Sequence, residues 1–519
     1  MTADQVLAID VGTQSVRALV FDPRGTLVAG AKIPIEPYVA PQPGWAEQDA
    51  ELYWRSIGDA CAALWAGGVA RREAIACITL TTQRATVVVT DEAGTPLRPA
   101  IVWLDQRQAS GVEPIGGING LAFRVLGVRR TVAAFQADCE ASWLRANEPA
   151  TFGRIRRYLF LSGFLTHRLT GRFVDSVGSQ VGYVPFDYKR LAWARTGDWR
   201  WAAVPIDPTW LPDLVAPGGR LGELTTSAAS VVGLPAGVPV ISAAADKACE
   251  VLGSGALEAH VGSLSYGTTA TINTTQRRYV ESVPLVPPYP AAVPGAYSLE
   301  VQVYRGFWLV DWFKREFGAS EVAQGESLGV AAESLFDELV RSTEPGSMGL
   351  MLQPTWTPGV RIPGREAKGA MIGFGDVHTR AHLYRAILEG LAYALREGGE
   401  RAAARARVPL RELRVSGGGA QSRAAVQLTA DIFGLPVGRP HTHETSGLGA
   451  AIDAAVGLGL HRSIETAVGE MTRVVETVEP DPARQRLYDQ LYRRVYRRMY
   501  ARLKPLYEEI MAITGYPPS

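Results

Sequence analysis

The sequence predicts an α/β protein made of two similar halves, each a mixed sheet flanked by helices. Three observations carry that expectation. The chain has 519 residues, 47% of them hydrophobic and 20% charged, too long for one ordinary core and too apolar to be disordered, so two domains of roughly 250 residues each are expected. Glycine accounts for 54 residues, above the usual share of about 7%, and gathers at strand-to-strand and strand-to-helix junctions, the usage of a nucleotide-binding α/β protein. Finally, a strand, a tight Gly-Thr turn and a second strand near the start return after residue 241, as a duplicated fold would produce.

Each element follows from its local pattern. The opening reads as a three-stranded meander: a buried strand over residues 6–10, the turn Val11-Gly12-Thr13-Gln14-Ser15, a strand over 16–22, the turn Pro23-Arg24-Gly25 and a strand over 26–33. A helix over 49–66 follows, then strands over 75–81 and 85–90, a turn at 91–94 and a short strand ending at Trp103. Residues 111–239, rich in tryptophan, proline and glycine, have the least regular pattern. Helices are expected there at 133–147 and 153–169, within an insertion that shapes a pocket. The second cycle opens near Ile241 with a strand, Asp246 and a helix to Gly253, followed by a strand over 260–266, the turn Gly267-Thr268-Thr269 and a strand over 270–275. Helices at 381–404, 423–433 and 447–458 then alternate with strands at 412–415 and 436–438. On this pattern the domains are assigned to residues 1–253 and 254–519. The last helix, 481–506, repeats Tyr488, Tyr492, Tyr496 and Tyr500 beside Leu487, Leu491, Val495, Met499 and Leu503, one apolar stripe for docking. Its arginines are read as a solvated face rather than an RNA-binding surface.

Charge and cysteine usage narrow the function class. Lysine plus arginine total 53 against 52 acids, a net charge of +1, so no broad field favours nucleic acid or anionic membrane, and neither is expected as a partner. Cys61, Cys77, Cys139 and Cys249 form neither a CxxC pair nor a metal-ligand run, which suits a reducing compartment, the cytoplasm by default. The first ten residues carry an acid where a signal peptide has basic residues, and no stretch approaches the roughly 18 uninterrupted apolar residues of a membrane span.

Chemistry is concentrated at the turns. The segment Asp10-Val11-Gly12-Thr13-Gln14-Ser15-Val16-Arg17 sets an acid at a strand end, a glycine open to close approach, hydroxyls and a cation, a combination that suits a polyphosphate bound through Mg²⁺. Gly267-Thr268-Thr269 repeats the hydroxyl-rich hairpin in the second half, and two such hairpins can grip a phosphate chain from both sides while closure excludes water. A third glycine cluster, Gly417-Gly418-Gly419 before Ser422, lets a flat base approach the backbone, although no acid follows at the spacing of a dinucleotide site. Asp246, between small apolar residues at a strand-to-helix junction, suits either a general base for phosphoryl transfer to an alcohol or a helix N-cap. Lys247 beside it is a substrate ligand or a surface charge. Gln83, Arg84 and Asp105 follow strand ends that would face a cleft, where polyhydroxylated ligands need paired donors and acceptors. The competing reading for each is a loop salt bridge, for instance Arg84 or Arg107 with Asp105. No HExxH, GxSxG or Walker-type GxxxxGK[ST] occurs.

In this order the segments resemble the FGGY carbohydrate kinases of the actin and Hsp70-like ATPase superfamily, over nearly the whole chain. The most specific match is Gly369-Ala370-Met371-Ile372-Gly373-Phe374, seven residues, then His382-Leu383-Tyr384-Arg385-Ala386-Ile387-Leu388-Glu389-Gly390, with Phe374 where a smaller aliphatic is usual. The family's other signature keeps Trp143-Leu144 but has Glu140 where lysine is expected. The resemblance implies two actin-like (ribonuclease H-like) domains with an ATP cleft between them, the first binding sugar and the second adenosine. It implies Asp10 as a Mg²⁺ ligand, Thr13, Gln14, Ser15 and Arg17 on the phosphates, and Gly267 and Thr268 as the second phosphate loop. Gly306, Gly418 and Ser422 would touch the nucleotide, and Asp246 would be the catalytic base.

Where glycerol kinases hold glycerol, the corresponding residues look like Arg84-Ala85, Phe135 and Asp246-Lys247. Loss of a glutamate and of a tyrosine hydroxyl argues against glycerol, and Ala85 makes room for a longer polyol or a ketose. The methionine-histidine pair of xylulokinases is absent at Gln83-Arg84. The implied activity is transfer of the γ-phosphate of MgATP to a hydroxyl of such an acceptor, with a homodimer left open. The competing readings are a nucleotide-dependent switch and a phosphohydrolase of the same superfamily.

Overall fold

The computed structural model describes residues 3–283, 286–357 and 363–516. The meander at the start forms as expected. Strands Gln5–Val11, Ser15–Phe21 and Leu27–Pro34 pair antiparallel in sequence order. Ile75–Thr82 and Pro239–Ser242 add parallel to its other edge, and Arg220–Glu223 closes the six-stranded sheet. Leu7, Ile9, Val11 and Val16 are fully buried under the helix Ala50–Ala66, which lays Tyr53, Ile57, Cys61 and Leu64 on them at helical spacing. Asp49 caps that helix by accepting a hydrogen bond from the Glu51 amide.

The second half repeats the plan. Val261–Tyr266, Ala270–Gln276 and Tyr297–Val303 form an antiparallel meander, and Glu412–Ser416 adds parallel to the first of these, as Ile75–Thr82 does in the first half. Tyr289–Pro290, Val437–Pro440 and Val474–Val478 complete seven strands. Helices Arg380–Ala406 and Arg423–Phe433 cover this sheet. The terminal helical run continues to Thr514 through a π turn at Tyr492–Tyr496. Tyr488, Tyr492 and Tyr496 are buried against Tyr393, and Tyr488 and Tyr492 donate to Glu389 and Glu400 at 2.8 and 2.9 Å. The tyrosine row is therefore the docking face, with the hydroxyls of Tyr488 and Tyr492 satisfied.

Two expected helices differ. Residues 133–147 fold as Arg129–Asp138 and Glu140–Asn147, broken at Cys139, whose backbone is extended. Residues 153–169 contain the strand Arg157–Phe160, paired with Val87–Thr90, before the helix Leu161–Thr170 begins. The apolar run through Tyr158, Leu159, Phe160 and Leu161 has no break in hydrophobicity, so periodicity alone does not separate strand from helix.

The halves interlock. Helix Thr445–Gly457, from late in the chain, packs Leu448, Ala451, Ile452 and Ala455 with Val6, Ala8, Leu19 and Ile241 of the first sheet. It crosses helix Asp246–Gly253 backbone to backbone. A Cβ at Gly253 would lie 2.0 Å from the Thr445 carbonyl oxygen, and one at Gly449 would lie 1.9 Å from that of Cys249, so only glycine allows this approach.

Candidate active site

The two hairpin turns, the start of helix Asp246–Gly253 and the glycine cluster after Glu412–Ser416 all lie at carboxyl ends of central strands or at turns between them, where open α/β sheets bind ligands. In the first hairpin Asp10 and Arg17 are register partners across the turn. Arg17 Nη1 donates to Asp10 Oδ2 at 2.8 Å, and its Nε lies 3.4 Å from Glu444 of the second half. Burial pushes the Asp10 carboxyl up to about 6 while Arg17 pulls it down, with smaller upward contributions from Asp246 and Glu444. Arg17 is thus engaged with carboxylates rather than free for phosphate. The turn itself is closed by the Gly12 amide on the Ser15 carbonyl at 3.0 Å, with Ser15 buried and Gln14 exposed.

Gln83 lies beneath this turn rather than in an acceptor pocket. It accepts from the Thr13 hydroxyl at 2.8 Å and donates to the Tyr53 hydroxyl at 3.0 Å, while Trp103 Nε1 donates to Thr13. Asp105 is likewise spent on structure. Its carboxylate accepts from the Ala46 and Arg107 amides and from the Arg107 guanidinium at 2.6–2.8 Å. Arg107 in turn stacks between Trp45 and Trp143 at 4.0 and 4.6 Å. The loop salt bridge, not a substrate contact, is what the geometry gives Asp105. Phe135 packs edge-on to Tyr183 at 5.4 Å, within the apolar cluster of the insertion.

Asp246 opens its helix without capping it from outside, and Oδ1 accepts from the Lys247 amide at 2.7 Å. Burial lifts its carboxyl above the ordinary range against the pull of Lys247 and Arg84. Lys247 turns away from the acid: its ammonium donates to Glu250 at 2.6 Å and to Ser265 at 2.7 Å, and Glu250 also accepts from Ser416 at 2.6 Å. One buried ionic group therefore ties the Asp246 helix to two strands of the second half, and a direct substrate contact for Lys247 does not follow. Arg84 makes a bidentate pair with Glu300, also of the second half, at 2.8 and 3.2 Å.

On the second side, the carbonyls of Gly267 and Thr268 accept from the Phe307 and Trp308 amides at 3.0 and 3.4 Å. Gly306 is buried where a Cβ would lie 2.2 Å from the Ala270 nitrogen, so it serves close packing of that loop on the hairpin. Gly417 adopts φ +85°, and a Cβ on Gly418 would meet open space, which leaves that backbone face available to a ligand. Ser422 caps helix Arg423–Phe433, accepting from the Ala425 amide and donating to Asp337.

Set against known proteins, residues 5–253 match the N-terminal domain of the FGGY family of carbohydrate kinases, and residues 262–458 match its C-terminal domain. The chain belongs to the FGGY family of carbohydrate kinases. It is 31% identical to a glycerol kinase of Dechloromonas aromatica over 93% of this chain and 94% of that one. It is 28% identical to a xylulose kinase of Lactococcus lactis, again over 93% and 94%. The crystal structure of a xylulose kinase from Rhodospirillum rubrum matches with a TM-score of 0.80 at 27% identity, covering 97% of this chain and 100% of that one.

As an FGGY kinase the protein is a phosphotransferase that uses ATP and an alcohol acceptor, and the switch and phosphohydrolase readings are not favoured. No helix among the described residues is long and apolar enough to cross a membrane. For this FGGY kinase, sequence reasoning missed Glu300, Tyr289 and Glu444. None lies in a motif, and Glu300 meets Arg84 from 216 residues away.

Proposed function

We propose that this kinase transfers the γ-phosphate of MgATP to a hydroxyl of a ketose or of a polyol longer than glycerol, with Asp246 as general base. The observation that carries the reading is the position of Asp246: a half-buried acid at a strand-to-helix junction, within electrostatic reach of Asp10 on the first hairpin and of Arg84. In the step derived from it, the acceptor oxygen forms a bond to the γ-phosphorus as the bond to the β–γ bridging oxygen breaks. The hydroxyl proton passes to Asp246 and ADP leaves. The first hairpin and Gly267-Thr268 would orient the phosphates from two sides, and the open face at Gly418 would take the base.

Asp10, with Glu444 across Arg17, fits a hard cation that arrives with the phosphates. Among the described residues no three His, Cys, Asp or Glu side chains converge to hold an ion alone, and magnesium bound through one or two carboxylates and phosphate oxygens needs no such cage. When bound, the ion would neutralise charge on the β- and γ-phosphates. Residues 1–253 are assigned the acceptor and the first phosphate turn, and 254–519 the second turn and the adenosine. The four cysteines are all buried and unpaired, which supports a reducing compartment.

The test is ADP formation with MgATP across polyols and ketoses of three to seven carbons, with Asp246→Asn as control. Stimulation by one acceptor that is lost in the variant supports the reading. ATP turnover that is equal with and without every acceptor, and unchanged in the variant, overturns it.

A further inference from the structure

Arg84 and Glu300 join the two halves at the candidate acceptor site. Arg84 follows the central strand Ile75–Thr82, and the next residue, Ala85, holds φ +52°, a left-handed conformation that costs energy for a residue with a Cβ. That turn aims the guanidinium at strand Tyr297–Val303, where both oxygens of Glu300 receive it at 2.8 and 3.2 Å. The Glu300 side chain is 2% exposed and that of Arg84 16%, so the acid is the more deeply buried member of the pair. Gln302 donates to the same Glu300 oxygen that receives Arg84 Nη2, and the guanidinium sits 4.9 Å from the Tyr289 ring centroid. Tyr188 lies next to Tyr289, with ring centroids 6.4 Å apart.

The charges are unbalanced in a way that bears on the acceptor. Around this point stand Arg84 and Lys247 against Asp246, Glu250 and Glu300, with the Asp10–Arg17 pair beside them. An arginine fork without a partner would be a ready seat for a substrate carboxylate. Here the fork is filled, and a second carboxylate would meet Glu300 and Asp246 with no cation left to answer it. Substrate hydroxyls face no such conflict, since each can donate to a carboxylate and accept from a guanidinium.

We infer that Glu300 is a specificity residue of the acceptor site: by holding and neutralising Arg84, it makes the enzyme take uncharged polyhydroxy acceptors and refuse sugar acids of the same length. The inference rests on the acceptor site being where the proposed function puts it. Because the pair spans both halves, the acceptor pocket is complete only when the first and second halves are together.

The experiment measures kcat/KM by ADP formation with MgATP for matched acceptors, a polyol or ketose and the aldonate of equal carbon number, from three to seven carbons. The wild-type enzyme is expected to prefer the uncharged member at least tenfold. In Glu300→Gln the preference should fall at least tenfold because aldonate turnover rises. The double variant Arg84→Gln with Glu300→Gln, lacking both charges, should show no such rise. A wild-type preference for the aldonate, an unchanged ratio in Glu300→Gln with uncharged acceptors still turned over, or an equal gain in the double variant would each overturn the inference. Should Glu300→Gln fail to fold, the wild-type ratio decides alone. Absence of stimulation by any acceptor of either class is a separate outcome, because it removes the kinase reading at this site and the inference with it.

Discussion

The two hairpins have the same backbone plan and different chemistry. In the first, Asp10 and Arg17 face each other across the Gly12-Thr13-Gln14-Ser15 turn as a half-buried ion pair. In the second, the equivalent pair, one step back from the turn, is Ser265 and Thr271, which carry no charge, and Ser265 accepts from the Lys247 ammonium. The turn of the second hairpin is instead held by its own carbonyls and by Gly306 packed on Ala270. A repeated fold thus need not repeat its function. On the proposed function, one copy would supply charge, while the other would supply backbone shape and hydroxyls against which a phosphate chain could be pressed.

The largest expected effect tests the charged side. Asp246→Asn should lower kcat by about a thousandfold, in the range of a lost general base, with KM for ATP little changed. Steady-state kinetics retaining a tenth of wild-type kcat would take the base role from Asp246. Asp10→Asn should lower kcat/KM for MgATP by about a hundredfold. Thr268→Val, in the uncharged hairpin, should cost only about tenfold, as for one hydrogen bond to a charged group. Equal losses in these two variants would erase the division of labour between the hairpins.

Smaller effects concern charges of the first half that lie outside its hairpin. Burial pushes the Glu140 carboxyl up to about 8, from 4.5 when unfolded. The stability that this raised value contributes is complete below pH 4.5 and is lost as the pH rises through about 8. Thermal melts should therefore show Glu140→Gln gaining a few degrees on wild type between those limits, and parallel curves would refute the buried acid. Asp105→Asn should lower the melting temperature by a few degrees through its Arg107 and Ala46 contacts, with kcat and KM within about twofold of wild type. A larger kinetic loss would return Asp105 to the acceptor site.

Both meanders are legible in the sequence because short, continuously buried strands between glycine turns leave a local trace, and each hairpin turn is legible as a group because its residues are adjacent. Arg157–Phe160 is not, because its strand runs into a helix without a polar break. Side-chain direction is the other blind spot. Sequence position sets Gln83, Asp105 and Lys247 near a cleft, yet each points to a structural partner. For Lys247 a signal existed in the three-residue spacing to Glu250 on one helix, the separation at which such pairs meet. For Arg84 none did, since its acid comes from another sheet. The Arg84–Glu300 pair lies in three dimensions only.

The crossing of helices Asp246–Gly253 and Thr445–Gly457 has a mechanical consequence. Where Gly253 and Gly449 meet carbonyl oxygens the two helices touch as bare shafts, so the crossing has no slack, and Asp246 stands at one end of its shaft. A single methyl at either glycine would be a wedge. It would force the shafts apart and misalign the acid from the far end of its own helix, without touching any group that meets a substrate.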